Sequence, residues 1–258
     1  MSDIKTGLPC GSQIVKLAST QEEKEQAYRL RYRVFNEELK EGIPENEKTG
    51  MDTDYFDQFC DHLLVIEEER VIGTYRLLPG PQRPKEGFYT QSEFDISKLP
   101  FNMDLMVELG RACIDPVYRK RSTLMSLFWA LHQYAEYKGS QFFMGCGSLP
   151  LMSSDDAEAT FKELIDANRI DHNIEAAPLA GNQFKGDASK GKAQVPPLVA
   201  MYLEFGAKVL GRPAYDPVFK CYDLLVYFDM KNLSEWGEAL LEKFDRRLAS
   251  QASDSAGK

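Results

Sequence analysis

The sequence has little of what membrane, metal-binding or nucleic-acid-binding proteins require. No apolar run in its 258 residues approaches the ~20 residues of a membrane-spanning helix. The polar start MSDIKTGLPCGSQ has no apolar core of a signal peptide. The three histidines are far apart, which disfavours a histidine-based metal site, and the formal net charge of -9 disfavours nucleic acid as a partner. We therefore expect a cytoplasmic protein with no metal site and no nucleic-acid partner.

Cysteine is also used sparingly, and no two of its five cysteines form a CxxC pair. Most lie inside apolar runs, which is typical of reduced core thiols in a cytosolic protein. Cys146, in the stretch GCGS, is the one that could form a covalent acyl-enzyme. No local motif pairs a histidine with it, so we reject that role.

What is present predicts one mixed α/β domain, without the strict strand–helix alternation of a doubly wound fold. Thr20 followed by Glu23 is a capping box that begins a helix ending near Lys40. Ser122 is a candidate N-cap for a second helix, with Gly139 just past its end. We expect a domain over residues 13–232 with a polar insertion at about 150–197, a helix over 233–250, and a disordered tail at 251–258.

Charged residues lie inside segments that pattern as buried. Arg31, Arg76 and Arg111 each need an anionic partner there, because an unpaired buried charge costs several kcal/mol. The nearby acids are Glu108 and the aspartates of the stretch MDTDYFDQFCD: Asp52, Asp54, Asp57 and Asp61. Either these groups form a structural ion-pair network, or they converge on a functional site.

The stretch MVELGRACI, residues 106–114, raises this question most sharply. In a regular strand Glu108 and Arg111 would point to opposite faces. Gly110 lies between them, and a glycine inside a strand often marks a β-bulge. A bulge would turn both side chains toward one face and splay this strand from its neighbour. We expect that splay to open a slot in the sheet.

Four short motifs in this region occur together, and taken together they are specific. They are RYRVF with Arg31 and Phe35, DYFD with Asp54 and Asp57, GTYRLLP with Arg76, and VELGR with Glu108 and Arg111. The combination resembles the acyl-homoserine-lactone (autoinducer) synthases and their relatives, the ornithine and amino-acid N-acyltransferases, some of which are called hemolysin-like. The resemblance implies a GNAT-like acyltransferase fold with a central splayed, mostly antiparallel sheet flanked by helices.

Two departures select among these relatives. The autoinducer synthases usually have a tryptophan a few residues after the phenylalanine, where this chain has NEELKEG, and this chain is extended in its C-terminal half. It is therefore more similar to the N-acyltransferases that make lyso-lipoamino acids. The resemblance implies transfer of a (3-hydroxy) fatty acyl group from acyl carrier protein to the α-amine of an amino acid such as ornithine. The alternatives are an autoinducer synthase using S-adenosylmethionine, an acetyl-CoA transferase, and a non-catalytic GNAT-like binding domain.

The turn before the second predicted helix bears on the donor. GNAT enzymes that use acetyl-CoA have a glycine-rich turn there for the pyrophosphate, whereas this chain has RKRSTL. Arg119, Lys120 and Arg121 could instead dock an acidic carrier protein, or could be a solvated helix start. We expect no tightly bound cofactor, with acyl-phosphopantetheine on acyl carrier protein, or acyl-CoA, as the donor. Peripheral contact with the inner membrane is compatible with a lipid product.

The resemblance and the chemistry of thioester aminolysis assign provisional roles. Glu108 would help deprotonate the amine, and Arg111 would hold Glu108 or the acceptor carboxylate. Asp54 and Asp57 would attract a cationic acceptor, with Arg31 and Arg76 ordering their loop.

Two further roles complete this assignment. Tyr202, in MYLEFGA, matches the GNAT tyrosine that acts as a general acid toward the leaving thiolate, and backbone N–H groups of the splayed strand would stabilise the oxyanion. His62 is expected to be structural, with proton transfer as the alternative. Leu127, Phe128, Phe142 and Met144 would form either an acyl tunnel or ordinary core.

Overall fold

The structure of the protein is a computed structural model that describes Ile4, residues 7–174 and residues 176–256, with side chains up to residue 246. Its α-helices are α1 (Gln21–Tyr32), α2 (Arg121–Lys138), α3 (Ser154–Asp166), α4 (Pro197–Glu204) and α5 (Glu235–Ala256). Its strands are β1 (Leu8–Cys10), β2 (Gln13–Leu17), β3 (Asp61–Glu67), β4 (Arg70–Pro79), β5 (Phe94–Asp95), β6 (Met106–Ile114), β7 (Phe142–Leu149), β8 (Ala177–Pro178), β9 (Lys208–Val209), β10 (Ala214–Asp216) and β11 (Cys221–Asp229).

Nine of these strands form one sheet in the order β1-β2-β3-β4-β6-β7-β11-β10, with β9 also paired to β11. The strand pairs of this sheet are antiparallel except β6 with β7, which run parallel. Strands β5 and β8 form a separate short pair. The predicted mixed, mostly antiparallel sheet flanked by helices is confirmed.

Helices cover both faces of the sheet. Strand β3 alternates its side chains between the faces, so Leu63 packs in the core beneath α2 while Leu64 packs with Leu30 of α1 on the other side. Helix α1 begins with the predicted capping box: Thr20 Oγ1 accepts from the Glu23 N–H, and the Glu23 carboxylate accepts from the Thr20 N–H. Helix α1 continues directly into a turn of π-helix, Arg33–Glu38.

The slot predicted in the sheet is present between β6 and β7. Their pairing extends only from Met106 with Phe142 to Glu108 with Met144, and the strands separate beyond that point. A bulge follows on the β4 side, where Arg111 and Ala112 face the single residue Tyr75. The bulge therefore lies one residue after the predicted Gly110, and Arg111 adopts φ +50°, a left-handed conformation that non-glycine residues rarely take.

Several boundaries differ from the sequence predictions. Strands β1 and β2 were not predicted; they are short, and the tight turn at Gly11 and Ser12 joins them. Helix α2 begins at Arg121 after Lys120, so Ser122 is not its N-cap, although Gly139 does end it with φ +65°. Helix α5 continues to Ala256, through most of the predicted disordered tail; residues 257–258 lie outside the described residues. Among the described helices, none has the length and apolar composition to span a bilayer.

Candidate active site

Three arginines and three aspartates form a buried cluster beside the slot, and we name Arg31, Arg76, Arg111, Asp52, Asp54 and Asp57 the ion-pair cluster. Arg31, on α1, has no exposed surface. Its Nε donates to Asp52 Oδ2 at 2.7 Å, and its Nη atoms donate to both oxygens of Asp57 at 2.7 and 3.1 Å. This bidentate geometry is the strong form of a carboxylate–guanidinium pair.

The other half of the ion-pair cluster joins the sheet to the same acidic loop. Arg76 Nη1 lies 2.7 Å from both oxygens of Asp54, and Arg111 Nη2 donates to Asp54 Oδ2 at 2.9 Å. The loop is held locally as well, because Asp57 accepts from the Asp54 N–H at 2.8 Å. The predicted role of Arg31 and Arg76 in ordering this loop agrees with these contacts.

Electrostatics keep Asp54 and Asp57 ionised. Burial by itself would raise the pKa of Asp57, but the Arg31 guanidinium outweighs it and holds that pKa well below its usual range. For Asp54, burial is likewise outweighed by Arg76 and Arg111, and its pKa is lowered. Three cations thus meet three anions, and no negative charge is left over to attract a cationic acceptor.

Glu108 lies apart from this cluster and is bound by a loop that follows β4. Its Oε1 accepts from the Thr90 N–H at 2.7 Å and from Thr90 Oγ1 at 2.6 Å, and its Oε2 accepts from the Tyr89 N–H at 2.9 Å. Burial raises the pKa of Glu108, although these hydrogen bonds oppose the shift. Such a carboxylate is a stronger base than an exposed one, which suits proton abstraction from an ammonium group.

The expected contact between Glu108 and Arg111 is not made. Arg111 uses Nη2 for Asp54, and its Nε lies 3.4 Å from Asp52 Oδ2 without a hydrogen bond. Its guanidinium also stacks over the Phe219 ring at 4.4 Å. The reason is the bulge: it brings both side chains to one cavity, as predicted, but aims Arg111 toward the acidic loop while Glu108 meets Thr90.

A cavity of about 670 Å³ opens along the slot. Eight of the predicted site residues line it: Phe35, Arg76, Glu108, Arg111 and Tyr202 within it, and Arg119, Lys120 and Arg121 at its rim. Its remaining wall is largely apolar and comes from β6, α2 and α4, including Leu109, Ile114, Leu124, Leu127, Leu198 and Met201. The cavity is therefore a polar floor joined to an apolar channel, which is the shape that a fatty thioester requires.

Three predicted site residues lie behind the cavity rather than on it. Among the described residues that form its wall, Arg31, Asp54 and Asp57 are absent. Asp54 and Asp57, predicted to attract the acceptor, are instead the partners of the arginines. Of the residues suggested for an acyl tunnel, Leu127 lines the cavity, whereas Phe128 packs in the core against Phe205.

The other two suggested tunnel residues, Phe142 and Met144, pack in a separate core region. His62 is buried behind the ion-pair cluster, 3.2 Å from the Tyr28 hydroxyl. Burial, together with the Arg31 charge, lowers its pKa to about 4. His62 is therefore neutral at pH 7, as a structural histidine would be.

Tyr202 lies on α4 and faces the cavity. Burial raises the pKa of its hydroxyl, so the group stays protonated and is available as a hydrogen-bond donor. The Cys146 thiol also lines the cavity, but burial and the nearby Glu93 raise its pKa well above the usual value. A thiolate is disfavoured there, which agrees with the rejection of an acyl-enzyme.

The predicted carrier-binding cations lie where the cavity meets solvent. Arg119, Lys120 and Arg121 are exposed and contribute to its rim. Arg119 is already paired, since its Nη atoms donate to the Glu38 carboxylate at 2.5 and 2.6 Å. Lys120 and Arg121 form no salt bridge among the described side chains, so two cations remain for an anionic partner.

Sequence reasoning missed a second group of acids, and we name Glu93, Asp216 and Asp223 the acidic cluster. Asp216 and Asp223 line the cavity, and a Glu93 oxygen lies within 4.8 Å of Asp223 and of the Cys146 sulfur. Both Glu93 oxygens and Asp223 Oδ1 are buried without a hydrogen-bond partner. Asp223 stands inside the apolar run CYDLLVYFD, so the rule that singled out Glu108 would have found it.

Burial and mutual repulsion raise the pKa values of two acids in the acidic cluster. Burial, with the Asp223 and Asp216 charges, raises the pKa of Glu93 to about 10. Burial, with the Asp216 charge, raises the pKa of Asp223 to about 6. None of the three acids forms a salt bridge in the described part of the chain. The acidic cluster is thus the opposite of the ion-pair cluster: it consists of buried carboxyl groups without a cation, and Glu93 keeps its proton at pH 7.

Comparison with known structures agrees with this architecture. A CoA-dependent acyl-homoserine lactone synthase, BjaI with MTA, superposes with a TM-score of 0.54 at 15% identity, covering 92% of this chain and 90% of that chain. The AHL synthase LasI gives a TM-score of 0.51 at 12% identity, covering 89% and 94%. At such identities these likenesses show the fold, and they confirm the predicted GNAT-like architecture.

Sequence comparison identifies the family. Residues 30–129 match the acetyltransferase (GNAT) domain. An L-ornithine N(alpha)-acyltransferase of Rhizobium meliloti (strain 1021) is 32% identical over 238 residues, which is 85% of this chain and 80% of that protein. One from Brucella abortus (strain 2308) is 30% identical, covering 87% and 86%. The resemblance inferred from the four motifs is confirmed: the chain belongs to the L-ornithine N(alpha)-acyltransferase family.

Proposed function

We propose that this protein transfers a (3-hydroxy) fatty acyl group from acyl carrier protein to the α-amine of an amino acid such as ornithine. The observation that carries the proposal is the position of Glu108, a buried carboxylate at the polar floor of a cavity that is otherwise apolar. The relatives, which are L-ornithine N(alpha)-acyltransferases, support the same acceptor.

Glu108 acts as the general base in this proposal. An amino acid enters as an ammonium ion, which has no lone pair for attack, so a proton must leave first. Two backbone N–H groups and the Thr90 hydroxyl hold the Glu108 carboxylate in one orientation. Its raised pKa makes it a better proton acceptor for an amine held at hydrogen-bond distance.

The bond changes then follow direct thioester aminolysis. The amine nitrogen attacks the thioester carbonyl carbon, and backbone N–H groups freed by the separation of β6 and β7 stabilise the oxyanion. The C–S bond breaks as the amide forms; Tyr202 donates its proton to the leaving thiolate, and the second proton lost by the amine nitrogen restores the tyrosine hydroxyl. No acyl group is carried on Cys146, because its raised pKa keeps the sulfur as a thiol.

Arg111 is suited to orient the acceptor. It is the member of the ion-pair cluster at the bulge, and its Nε is buried without a hydrogen-bond partner. The α-carboxylate of an amino acid could bind the guanidinium where it lines the cavity, without breaking the contact of Nη2 with Asp54. Held there, the acceptor would present its α-amine toward Glu108.

The rim supports a carrier protein as donor. Lys120 and Arg121 are exposed beside the cavity and form no salt bridge with a described side chain, and acyl carrier proteins are acidic. The phosphopantetheine arm would enter past these cations and place its acyl chain against Leu124 and Leu127. A free acyl-CoA would use the same entry, so the donor is a matter for experiment.

The test is a thiol-release assay with purified protein. The donors are 3-hydroxyacyl carrier protein and the matching acyl-CoA; the acceptors are ornithine, a panel of amino acids and S-adenosylmethionine. Glu108→Gln is assayed in parallel, with Glu108→Asp to keep a carboxylate and Glu67→Gln as a control acid in the same sheet.

We expect release that requires ornithine, is faster with the carrier protein, falls about 100-fold in Glu108→Gln and recovers partly in Glu108→Asp. Release driven by S-adenosylmethionine would favour an autoinducer synthase instead. No release with any pair would leave a non-catalytic GNAT-like binding domain as the reading.

A further inference from the structure

The acidic cluster has no role in the steps described so far, and its position needs an explanation. Strand pairing sets that position. Asp216 pairs with Cys221, and Asp223 with Ser148, while side chains two residues apart share a face of the sheet. Asp223, Ser148 and Cys146 therefore lie on the face where Glu108 pairs with Met144. The acids and the general base open onto one cavity.

A short chain of contacts joins the two groups. Thr90 Oγ1 donates to Glu108 Oε1 at 2.6 Å and lies 4.0 Å from the Cys146 sulfur. That sulfur is within 4.8 Å of the nearest carboxylate oxygens of Glu93 and Asp223. An acceptor with one nitrogen at Glu108 and a second a few methylene groups away would span this distance.

The acidic cluster is also electrostatically incomplete. Buried carboxylates are normally paired with a cation or bound by several donors. Asp223 is 2% exposed, it lines the cavity, and its Oδ1 has no hydrogen-bond partner; neither oxygen of Glu93 has one. Asp216 accepts from the Val218 N–H at 2.6 Å, which holds its carboxylate in place. In the ion-pair cluster, by contrast, each structural aspartate is neutralised by an arginine.

We propose that Glu93, Asp216 and Asp223 bind the side-chain ammonium group of the acceptor, so that the acceptor must be an α,ω-diamino acid. This inference rests on the proposed function and adds its specificity. It replaces Asp54 and Asp57, the acids predicted from sequence for this task. An ammonium group supplies three N–H donors, which the Asp216 and Asp223 carboxylates and the carbonyl oxygen of the protonated Glu93 can accept.

The same arrangement determines which nitrogen is acylated. A nitrogen held among carboxylates keeps its proton, because nearby negative charge favours the ammonium form, and an ammonium is not a nucleophile. The α-nitrogen at Glu108 faces a single base that can remove its proton. The acidic cluster thus protects the side-chain nitrogen while the α-nitrogen reacts.

The test compares two acceptors of equal length, ornithine and norvaline, which lacks the side-chain amine. Asp223→Asn and Asp216→Asn are compared with wild type and with Asp229→Asn, a control acid at the far end of β11 that accepts from Gln141, Asn232 and the Lys231 N–H. Initial rates give kcat/KM for each acceptor, and mass spectrometry locates the acylated nitrogen. Metal content is measured on the same samples.

We expect wild type to prefer ornithine, and Asp223→Asn to lower kcat/KM for ornithine about 100-fold, since the loss of one partner of a buried charge contact has an effect of this size. Norvaline acylation and the control variant should change by less than about twofold. The variant should also raise the share of side-chain-acylated product.

Equal losses with both acceptors would overturn the inference, because a merely structural residue would affect them alike. Equal use of ornithine and norvaline by wild type would overturn it while leaving the N-acyltransferase function standing. Acylation of neither amino acid would remove the proposed function and the inference together. A stoichiometric divalent metal that Asp223→Asn abolishes would assign the cluster to that ion instead.

Discussion

Two groups of buried acids lie beside the same cavity, and they are built in opposite ways. In the ion-pair cluster every aspartate is bound by an arginine, as when Asp57 receives two hydrogen bonds from Arg31. In the acidic cluster Asp223 and Glu93 have carboxylate oxygens with no partner. Burial favours the protonated form of both groups, but only the first contains cations that reverse the shift.

The comparison separates structural charge from functional charge. In a paired cluster all charges find partners within the folded chain. The cluster therefore stabilises the loop that carries Asp54 and Asp57 without needing a bound ligand. An unpaired cluster is less favourable without a ligand and becomes favourable when a cation arrives. Four predictions follow, from the largest expected effect to the smallest. The first two test this contrast, and the other two test the general base and the cations at the rim.

Arg31→Met should be the most destabilising change. It would leave Asp52 and Asp57 buried without their cation, and breaking such a pair costs about 3–5 kcal/mol. Arg29→Met is the control, because that exposed arginine on the same helix pairs only with Glu25, a contact of at most about 0.5 kcal/mol. Urea unfolding measures both. Similar losses in the two variants would mean that the ion-pair cluster has no special structural weight.

Asp223→Asn should have the opposite effect on stability, and the effect should depend on pH. The folded-state pKa of Asp223 is raised to about 6, so its favourable contribution is complete below its unfolded pKa and is lost as the pH rises through 6. Asparagine has no proton to lose. Between pH 4 and pH 7, the free energy of unfolding of the variant should therefore rise by about 1–3 kcal/mol relative to that of wild type.

Denaturant unfolding at several pH values measures this gain, with Asp229→Asn as the control. That control should follow wild type over the whole range. A stability difference between Asp223→Asn and wild type that stays constant with pH would contradict the assignment of Asp223 as an unpaired buried acid.

Thr90→Val should reduce the fraction of Glu108 that is ionised at low pH. The Thr90 hydroxyl stabilises the ionised form of Glu108 and lowers its pKa, so its loss moves that pKa further up. The acidic limb of the pH–rate profile should shift to higher pH, and the rate on that limb should fall about tenfold. Ser92→Ala, in the same turn, is the control, since its hydroxyl bonds only the Tyr89 carbonyl. An unshifted limb would exclude Glu108 as the titrating base.

Reversing charge at the rim should give the smallest effect. Lys120→Glu combined with Arg121→Glu should raise KM for the acyl carrier protein about fivefold at low salt, and the effect should shrink as salt screens it. An acyl-pantetheine donor, which has no protein surface, should be unaffected. Lys162→Glu on α3 is the control. A loss with both donors would place these cations in the channel rather than on a docking surface.

The sequence predicted the ion-pair cluster because its members violate a local rule. Arg76 and Arg111 stand in apolar strands, so a partner had to exist, and the aspartates of one nearby loop were the available choice. Which acid pairs with which arginine could not be predicted from the sequence. Glu108 and Arg111 are three residues apart, yet their partners are Thr90 and Asp54, because the bulge and two loops decide where each side chain ends.

The acidic cluster shows both a missed signal and a real limit. Asp223 is a charge in an apolar strand, so the rule applied to Arg111 would have marked it. Glu93 carried no such signal, because it lies in a polar loop and is buried only by tertiary packing. Its approach to Asp223 joins residues 130 positions apart in the printed sequence, and no local pattern encodes that contact.

The short pairing of β6 with β7 has a mechanical consequence. Three residue pairs, ending at Glu108 and Met144, join two halves of the large sheet: β1, β2, β3, β4 and β6 on one side, and β7, β9, β10 and β11 on the other. Reactants that bind in the slot would contact both halves and act as a clamp. Saturating substrate should therefore slow amide hydrogen exchange along both strands, beyond the residues that it touches, and make the two half-sheets unfold as one cooperative unit.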